Sequence, residues 1–153
     1  MDGDGRLERL ESRQALRDLA ASYCAAVDGK DAERLGSLFT ADGTLSGMNG
    51  RDAIVVSMGR WMEAHRESFH AVHDQLVEFT SPDSATGTVT GHAEQRRGDE
   101  VWVMAIRYTD SYRREAGSWR FSSRSLHYVY RVRVEDYPAH FGEVLREGVA
   151  DSR

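Results

Sequence analysis

The sequence predicts one α+β domain in which helices come first and an antiparallel meander of long strands follows. Apolar residues recur at helical spacings of three and four through the first 67 residues, and from Phe69 onward they alternate. Runs of helix followed by runs of strand argue for α+β rather than a parallel α/β sheet. The chain has 153 residues, enough for one domain to bury a core without staples.

Leu7 to Val27 reads as an amphipathic helix, with Leu16, Leu19, Ala20, Tyr23, Ala26 and Val27 on one stripe and Ser12 as a possible internal N-cap. Asp28-Gly29-Lys30 breaks it, with Gly29 in the usual C′ position. Asp31 then caps a short helix, Ala32 to Phe39. Thr40 to Gly43 reads as a turn, Gly43 to Gly47 as a short strand and Met48-Asn49-Gly50 as another turn. Arg51 to about Glu67 forms a third helix, with Ile54, Met58, Trp61 and Met62 as its apolar stripe. Four strands follow, Phe69 to Thr80, Ser84 to Gln95, Glu100 to Arg113 and Ser118 to Val134, joined by turns at Ser81-Pro82-Asp83, Arg96 to Asp99 and Glu115-Ala116-Gly117. Ala139 to Val149 suggests a terminal helix. With one sheet of long strands, the three helices must cover its concave face, and a strongly bent sheet covered at one end leaves a pocket.

Composition narrows the function. Formal net charge is −5, so the chain lacks the basic footprint of a nucleic-acid binder. Lys30 is the only lysine, so no other residue can form a lysine Schiff base. Cys24 is the only cysteine, which excludes an internal disulfide and a Cys-based metal site and fits a reduced, cytoplasmic setting. Met1 to Arg9 is charged and has no apolar run, unlike a secretory signal, and no stretch reaches the roughly 20 apolar residues of a membrane helix. No repeat or internal boundary interrupts the single domain, whose core spans about residues 7–134, with peripheral ends. His92 and Glu94, with His65, His70 and His73, are not spaced as a metal motif, so no metal is expected. The arginine-for-lysine bias is that of a GC-rich genome, which goes with a secondary-metabolism setting.

Three segments resemble a known family. Ser22-Tyr23-Cys24-Ala25-Ala26-Val27-Asp28-Gly29-Lys30-Asp31, followed by Leu35 and Leu38-Phe39, resembles the first-helix signature of SnoaL-like proteins. His70-Ala71-Val72-His73 with Ser84-Ala85-Thr86-Gly87 resembles their first meander hairpin. Arg107 to Tyr112 with Gly117-Ser118-Trp119-Arg120-Phe121 resembles their last. The resemblance covers roughly residues 12–131. It implies the NTF2-like cone, three N-terminal helices packed on a strongly curved antiparallel sheet that encloses one pocket. Scytalone dehydratase and bile-acid 7α-dehydratase are among the members the chain resembles, and both remove water beside an activating carbonyl without a metal or organic cofactor. Their tyrosine and aspartate at the end of the first helix, and their strand histidine, match Tyr23, Asp28 and either His70 or His73. Further polar groups of the later strands fall near Arg124, His127 and Tyr128.

The residues bear on these roles independently. Imidazole titrates near neutral pH, so His70 is suited to take a proton and return it. Strand alternation puts His70 with Val72 and Leu76, and His73 with Val77 and Phe79, so only one histidine reaches the pocket unless a bulge intervenes. Asp28 serves either as a base or as the acceptor that orients an imidazole, and Tyr23 either donates to a substrate carbonyl or is plain core. Trp61 and Met62 are core residues that can also form a pocket wall. His92 lines the cavity or belongs to a solvated face. Trp119 and Phe121 share a face with Ser123, Ser125 and His127, and Arg124, Leu126, Tyr128 and Tyr130 take the other. Trp102, Met104 and Ile106 are either pocket wall or a subunit surface. Taken together, a cofactor-free dehydratase of a small cyclic or polyketide-like hydroxy-carbonyl compound is expected, as a homodimer or homotrimer. Polyketide cyclase, ketosteroid-type isomerase and a non-catalytic binding module are the alternatives.

Overall fold

The computed structural model describes residues 3–65 and 67–140. Helix α1 runs from Gly3 to Asp28, α2 from Ala32 to Ser37 and α3 from Arg51 to Ala64. Strands β1 (Phe39–Leu45) and β2 (Met48–Asn49) form a small hairpin between α2 and α3. Strands β3 (Glu67–Ser81), β4 (Ser84–Arg97), β5 (Glu100–Glu115) and β6 (Ser118–Arg133) make the meander. The six strands form one open, curved sheet in the order β2-β1-β6-β5-β4-β3. Its pairings are antiparallel except β1 on β6, which is parallel. Thr40 to Gly43, expected as a turn, therefore belongs to β1. The terminal-helix expectation falls mostly on residues 141–149, outside the described residues, after a 3-10 turn at Val134–Asp136. Among the described residues, no helix is long and apolar enough to cross a membrane.

The stripe of α1 is the centre of the core. Leu16, Leu19, Ala20, Tyr23, Ala26 and Val27 are all buried. The helix begins before Leu7, so Ser12 sits inside it, buried rather than capping. Its C-terminus closes with two bonds, Lys30 N–H to the Val27 carbonyl at 3.2 Å and Asp31 N–H to the Ala26 carbonyl at 2.9 Å. In this motif the residue at C′ is left-handed. That residue is Lys30, with φ 58°, and not the expected Gly29. Asp31 caps α2 by accepting from Arg34 N–H at 2.9 Å. At the β5–β6 turn, Ala116 and Gly117 both have positive φ, 49° and 80°, the pattern that matches the twist of a two-residue hairpin.

Bulges bend the sheet, and those within β3 and β6 reset which residues face inward. In β3 the register steps from Val72↔Gly91 to Gln75↔Val89, so one extra residue sits at His73–Asp74. In β6 it steps from Phe121↔Tyr112 to Ser123↔Ser111, and again from Tyr128↔Ile106 to Tyr130↔Ala105. The first bulge puts His70, Val72, Gln75, Val77 and Phe79 on the inner face and His73 and Leu76 on the outer. The second puts Trp119, Phe121, Arg124, Leu126 and Tyr128 inside and His127 outside. Strict alternation fails at both places for that reason.

The inner face of β4 is small, Ala85, Gly87, Val89, Gly91 and Ala93, so that β3 can pass close. A Cβ built on Gly91 would lie 2.5 Å from the Ala71 carbonyl oxygen, and one on Gly87 2.6 Å from that of Leu76. Those oxygens are backbone and cannot swing away. Gly91→Ala is therefore expected to destabilise the fold by about 1–3 kcal/mol, read as a lower urea midpoint; an unchanged midpoint would show that β3 moves freely there.

Candidate active site

Asp28 ends α1 and His70 lies near the start of β3, and the packing of that helix on that strand brings them together. Asp28 Oδ1 lies 2.6 Å from His70 Nδ1, and Asp28 Oδ2 accepts the His70 backbone N–H at 2.9 Å. Ser68 donates its hydroxyl to Oδ1 at 3.0 Å, and Lys30 Nζ donates to Ser68 Oγ at 2.8 Å. The His70 side chain is 7% exposed and that of Asp28 23%. A carboxylate only accepts, so Nδ1 carries the hydrogen and Nε2 of the neutral ring keeps a lone pair. Among the described residues nothing bonds that nitrogen, and His70 lines the neighbouring cavity. The arrangement is an oriented base facing a largely apolar cavity.

The cavity holds about 230 Å³ between α1, α3, the β1–β2 hairpin and the sheet. Its wall is largely apolar, from Val27, Leu45, Met48, Met58, Trp61, Met104, Ile106 and Leu126. Tyr23, Tyr108, Tyr128, Gln95 and Ser46 supply its polar atoms. Tyr23, Tyr108 and Gln95 are 6%, 4% and 7% exposed, and among the described residues no protein group bonds their side chains. Burial pushes the Tyr23 phenol up to about 12, with Arg124 opposing, and raises Tyr108 well above its usual range. Both remain protonated donors at neutral pH. Burial likewise pushes the Cys24 thiol up to about 11, away from thiolate chemistry.

Beneath the two tyrosines lies Arg124, with its guanidinium carbon 4.4 Å from the Tyr23 ring centroid, 4.3 Å from Tyr108 and 4.1 Å from Phe121. It grips Asp110 through Nε at 2.8 Å and Nη2 at 2.7 Å, and both residues are 1% exposed. Burial works against the guanidinium charge, and the Asp110 bonds outweigh it, so its pKa ends above the ordinary value. Tyr112 donates to Asp110 Oδ2 at 2.7 Å, and Gln75 donates to Tyr112 and to the Leu16 carbonyl, both at 3.2 Å.

Residues 8–125 match the SnoaL-like domain. This chain belongs to the SnoaL-like family. Among its relatives is the gamma-hexachlorocyclohexane dehydrochlorinase of Sphingobium indicum, 30% identical over 131 residues, or 78% of this chain and 81% of that protein. A crystal structure of a hexachlorocyclohexane dehydrochlorinase (LinA) of type 2 superposes with a TM-score of 0.79, at 25% identity over 84% of this chain and 93% of that one. A putative scytalone dehydratase from Novosphingobium aromaticivorans shares the fold, with a TM-score of 0.77, 23% identity, and 82% and 89% of the two chains covered. The chain is an NTF2-like enzyme of the lyase type.

In this SnoaL-like chain the expected site residues divide into three sets. His70, Tyr23, Trp61 and Tyr128 line the cavity, and Asp28 stands behind His70, bonded to its ring. Met62 and Arg124 are buried, Met62 in the core behind the wall and Arg124 beneath the aromatic rings, spent on Asp110. His73, His92 and His127 are exposed on the outer face, contrary to a place in the pocket. There His73 Nε2 lies 2.6 Å from His92 Nδ1, and His92 Nε2 3.1 Å from the Tyr130 hydroxyl. Of Trp102, Met104 and Ile106, the latter two line the cavity and Trp102 packs beside it under Arg131. Among the described residues no group of three or more His, Cys, Asp or Glu side chains is placed to hold a metal. Sequence reasoning missed Ser68, Lys30, Gln95 and Tyr108. The available signal was positional, because Ser68 precedes His70 by one strand repeat and Gln95 ends the small inner row of β4.

Arg124→Met should leave Asp110 buried without its counter-ion and cost about 3–5 kcal/mol in urea unfolding. The double variant Arg124→Met with Asp110→Leu should recover much of that. Equal losses in the single and double variants would deny the pairing.

Proposed function

We propose that this enzyme is a dehydratase acting on a small cyclic hydroxy-carbonyl compound. The 2.6 Å contact between Asp28 and His70, with the free ring nitrogen on the cavity, carries this reading. His70 Nε2 takes the proton from the carbon beside the carbonyl, while Asp28 stabilises the imidazolium that forms. Tyr23 donates to the carbonyl oxygen as negative charge builds there. The carbon–oxygen bond to the leaving hydroxyl then breaks, its electrons stay with oxygen, and the imidazolium returns the proton. The products are water and the conjugated alkene, with the enzyme regenerated.

A second reading follows from the relatives. The same abstraction with chloride as the leaving group gives dehydrochlorination, and the polarizable wall of Met48, Met58, Met104 and Trp61 suits a halogenated ring.

The test is a panel of β-hydroxy ketones, from monocyclic to steroidal, with chlorinated cyclohexanes beside them, followed by mass and ultraviolet change. Loss of 18 mass units from a hydroxy ketone, falling by about 10²-fold or more in Asp28→Asn and in His70→Ala, is the expected result. Turnover of the chlorinated rings alone supports the second reading. An isomer of unchanged mass moves the reaction to isomerase or cyclase, and turnover indifferent to both substitutions sinks the dyad.

A further inference from the structure

Lys30, the chain's only lysine, stands where the backbone favours a different residue. Its φ of 58° is left-handed, a conformation that costs a side chain and that glycine adopts freely. Gly29, one residue earlier, does not take it. A non-glycine residue held there points to something that its side chain does.

The Lys30 ammonium lies 2.8 Å from Ser68 Oγ and 5.5 Å from the centre of the Trp61 ring, which forms part of the cavity wall. An ammonium has three donors and no acceptor, so the Ser68 oxygen must accept from it. The single hydroxyl hydrogen of Ser68 is then turned toward its other partner, Asp28 Oδ1 at 3.0 Å. That oxygen is the one that holds His70 Nδ1. Lys30 donates to Ser68 and Ser68 to Asp28, while His70 donates to the same carboxylate oxygen from the other side.

We propose that Lys30 is a positioning residue for the Asp28–His70 pair: its ammonium fixes the Ser68 hydroxyl as a donor to Asp28, which holds the carboxylate in the rotamer that orients the imidazole. The inference rests on the lyase reading above. Lys30 is partly withdrawn from water, and that desolvation lowers its pKa, with Asp28 opposing. The strain at φ 58° is then the cost of placing an ammonium that glycine cannot supply.

The experiment uses the full chain with Lys30→Gly, Ser68→Ala and the double variant. Lys30→Gly removes the amine and relieves the backbone, so its melting temperature should hold or rise. Its kcat on the panel substrate should fall about tenfold, with KM changed by less than about twofold. Ser68→Ala should do the same, and the double variant should be no worse than either. Nitrogen-15 correlation spectra of the His70 ring, assigned through the His70→Gln variant, give a readout independent of turnover. The wild type should show the Nδ1–H tautomer, and both single variants a shift toward Nε2–H. An unchanged His70 spectrum in both variants, or additive losses in kcat, overturns the proposal. If no panel compound is turned over, the lyase reading fails and the tautomer alone decides the role of Lys30.

Discussion

The ion pair between Arg124 and Asp110 holds the sheet and the first helix in one arrangement. The two residues face each other across β5 and β6, both buried, and no water competes for them. A slip of register there would leave a guanidinium and a carboxylate apart in an apolar interior, which costs far more than the pair itself contributes. The pair therefore specifies alignment more than it adds stability. Its reach extends outward through Tyr112 and Gln75 to the Leu16 carbonyl, so β5, β6, β3 and α1 share one polar network. On the other side the guanidinium supports Tyr23, Tyr108 and Phe121. The cavity floor is thus an aromatic layer resting on a buried charge.

That alignment also places the dyad. Asp28 lies five residues beyond Tyr23 on the same helix, and Tyr23 is seated on Arg124. With α1 fixed at Tyr23, its C-terminal turn can only deliver Asp28 to the opening of β3. The His73–Asp74 bulge lets β3 begin with His70 facing inward and still present Gln75, Val77 and Phe79 to the core. Without that extra residue, either the base or the far half of the strand would face solvent.

The bulges mark where the sequence stops being legible. The order of helices and meander strands and the approximate limits of β3 to β6 follow from periodicity, because period 2 and period 3.6 patterns differ plainly over 14 to 16 residues. The short β1 and β2 instead read partly or wholly as turns. A bulge leaves no comparable trace: one residue inserted in an alternating strand looks like a neighbouring residue on the wrong face. Strict alternation leaves His70 and His73 undecided, groups His127 with Trp119 and Phe121, and sets Arg124 and Tyr128 apart from them. The bulges turn His70 inward and His73 outward and reverse the other two groupings. Asp28, Tyr23 and His70 were legible through family resemblance, which fixes positions that local pattern leaves open. Lys30 was hidden for another reason. Beside Gly29 it reads as an ordinary turn lysine, and only the backbone angle shows that the glycine does not fill the left-handed position.

The polar lining of the cavity bears on which leaving group suits it. Tyr23, Tyr108 and Gln95 each turn toward the cavity a polar side chain that no protein group bonds among the described residues. Covering such a group without pairing it costs a ligand about 1–3 kcal/mol. A chlorinated hydrocarbon offers little to those donors, so binding one would leave much of that cost in place. On the proposed reading, a ring bearing a carbonyl and a hydroxyl offers partners to these groups. Among the described residues no arginine or lysine lines the cavity, Arg124 being bonded to Asp110 and Lys30 to Ser68. A site built to pair with substrate oxygen rejects the analogue that lacks it more strongly than a greasy pocket rejects an extra methylene. On the proposed reading, the polar lining beside His70 is what matches this cavity to an uncharged, oxygenated ring.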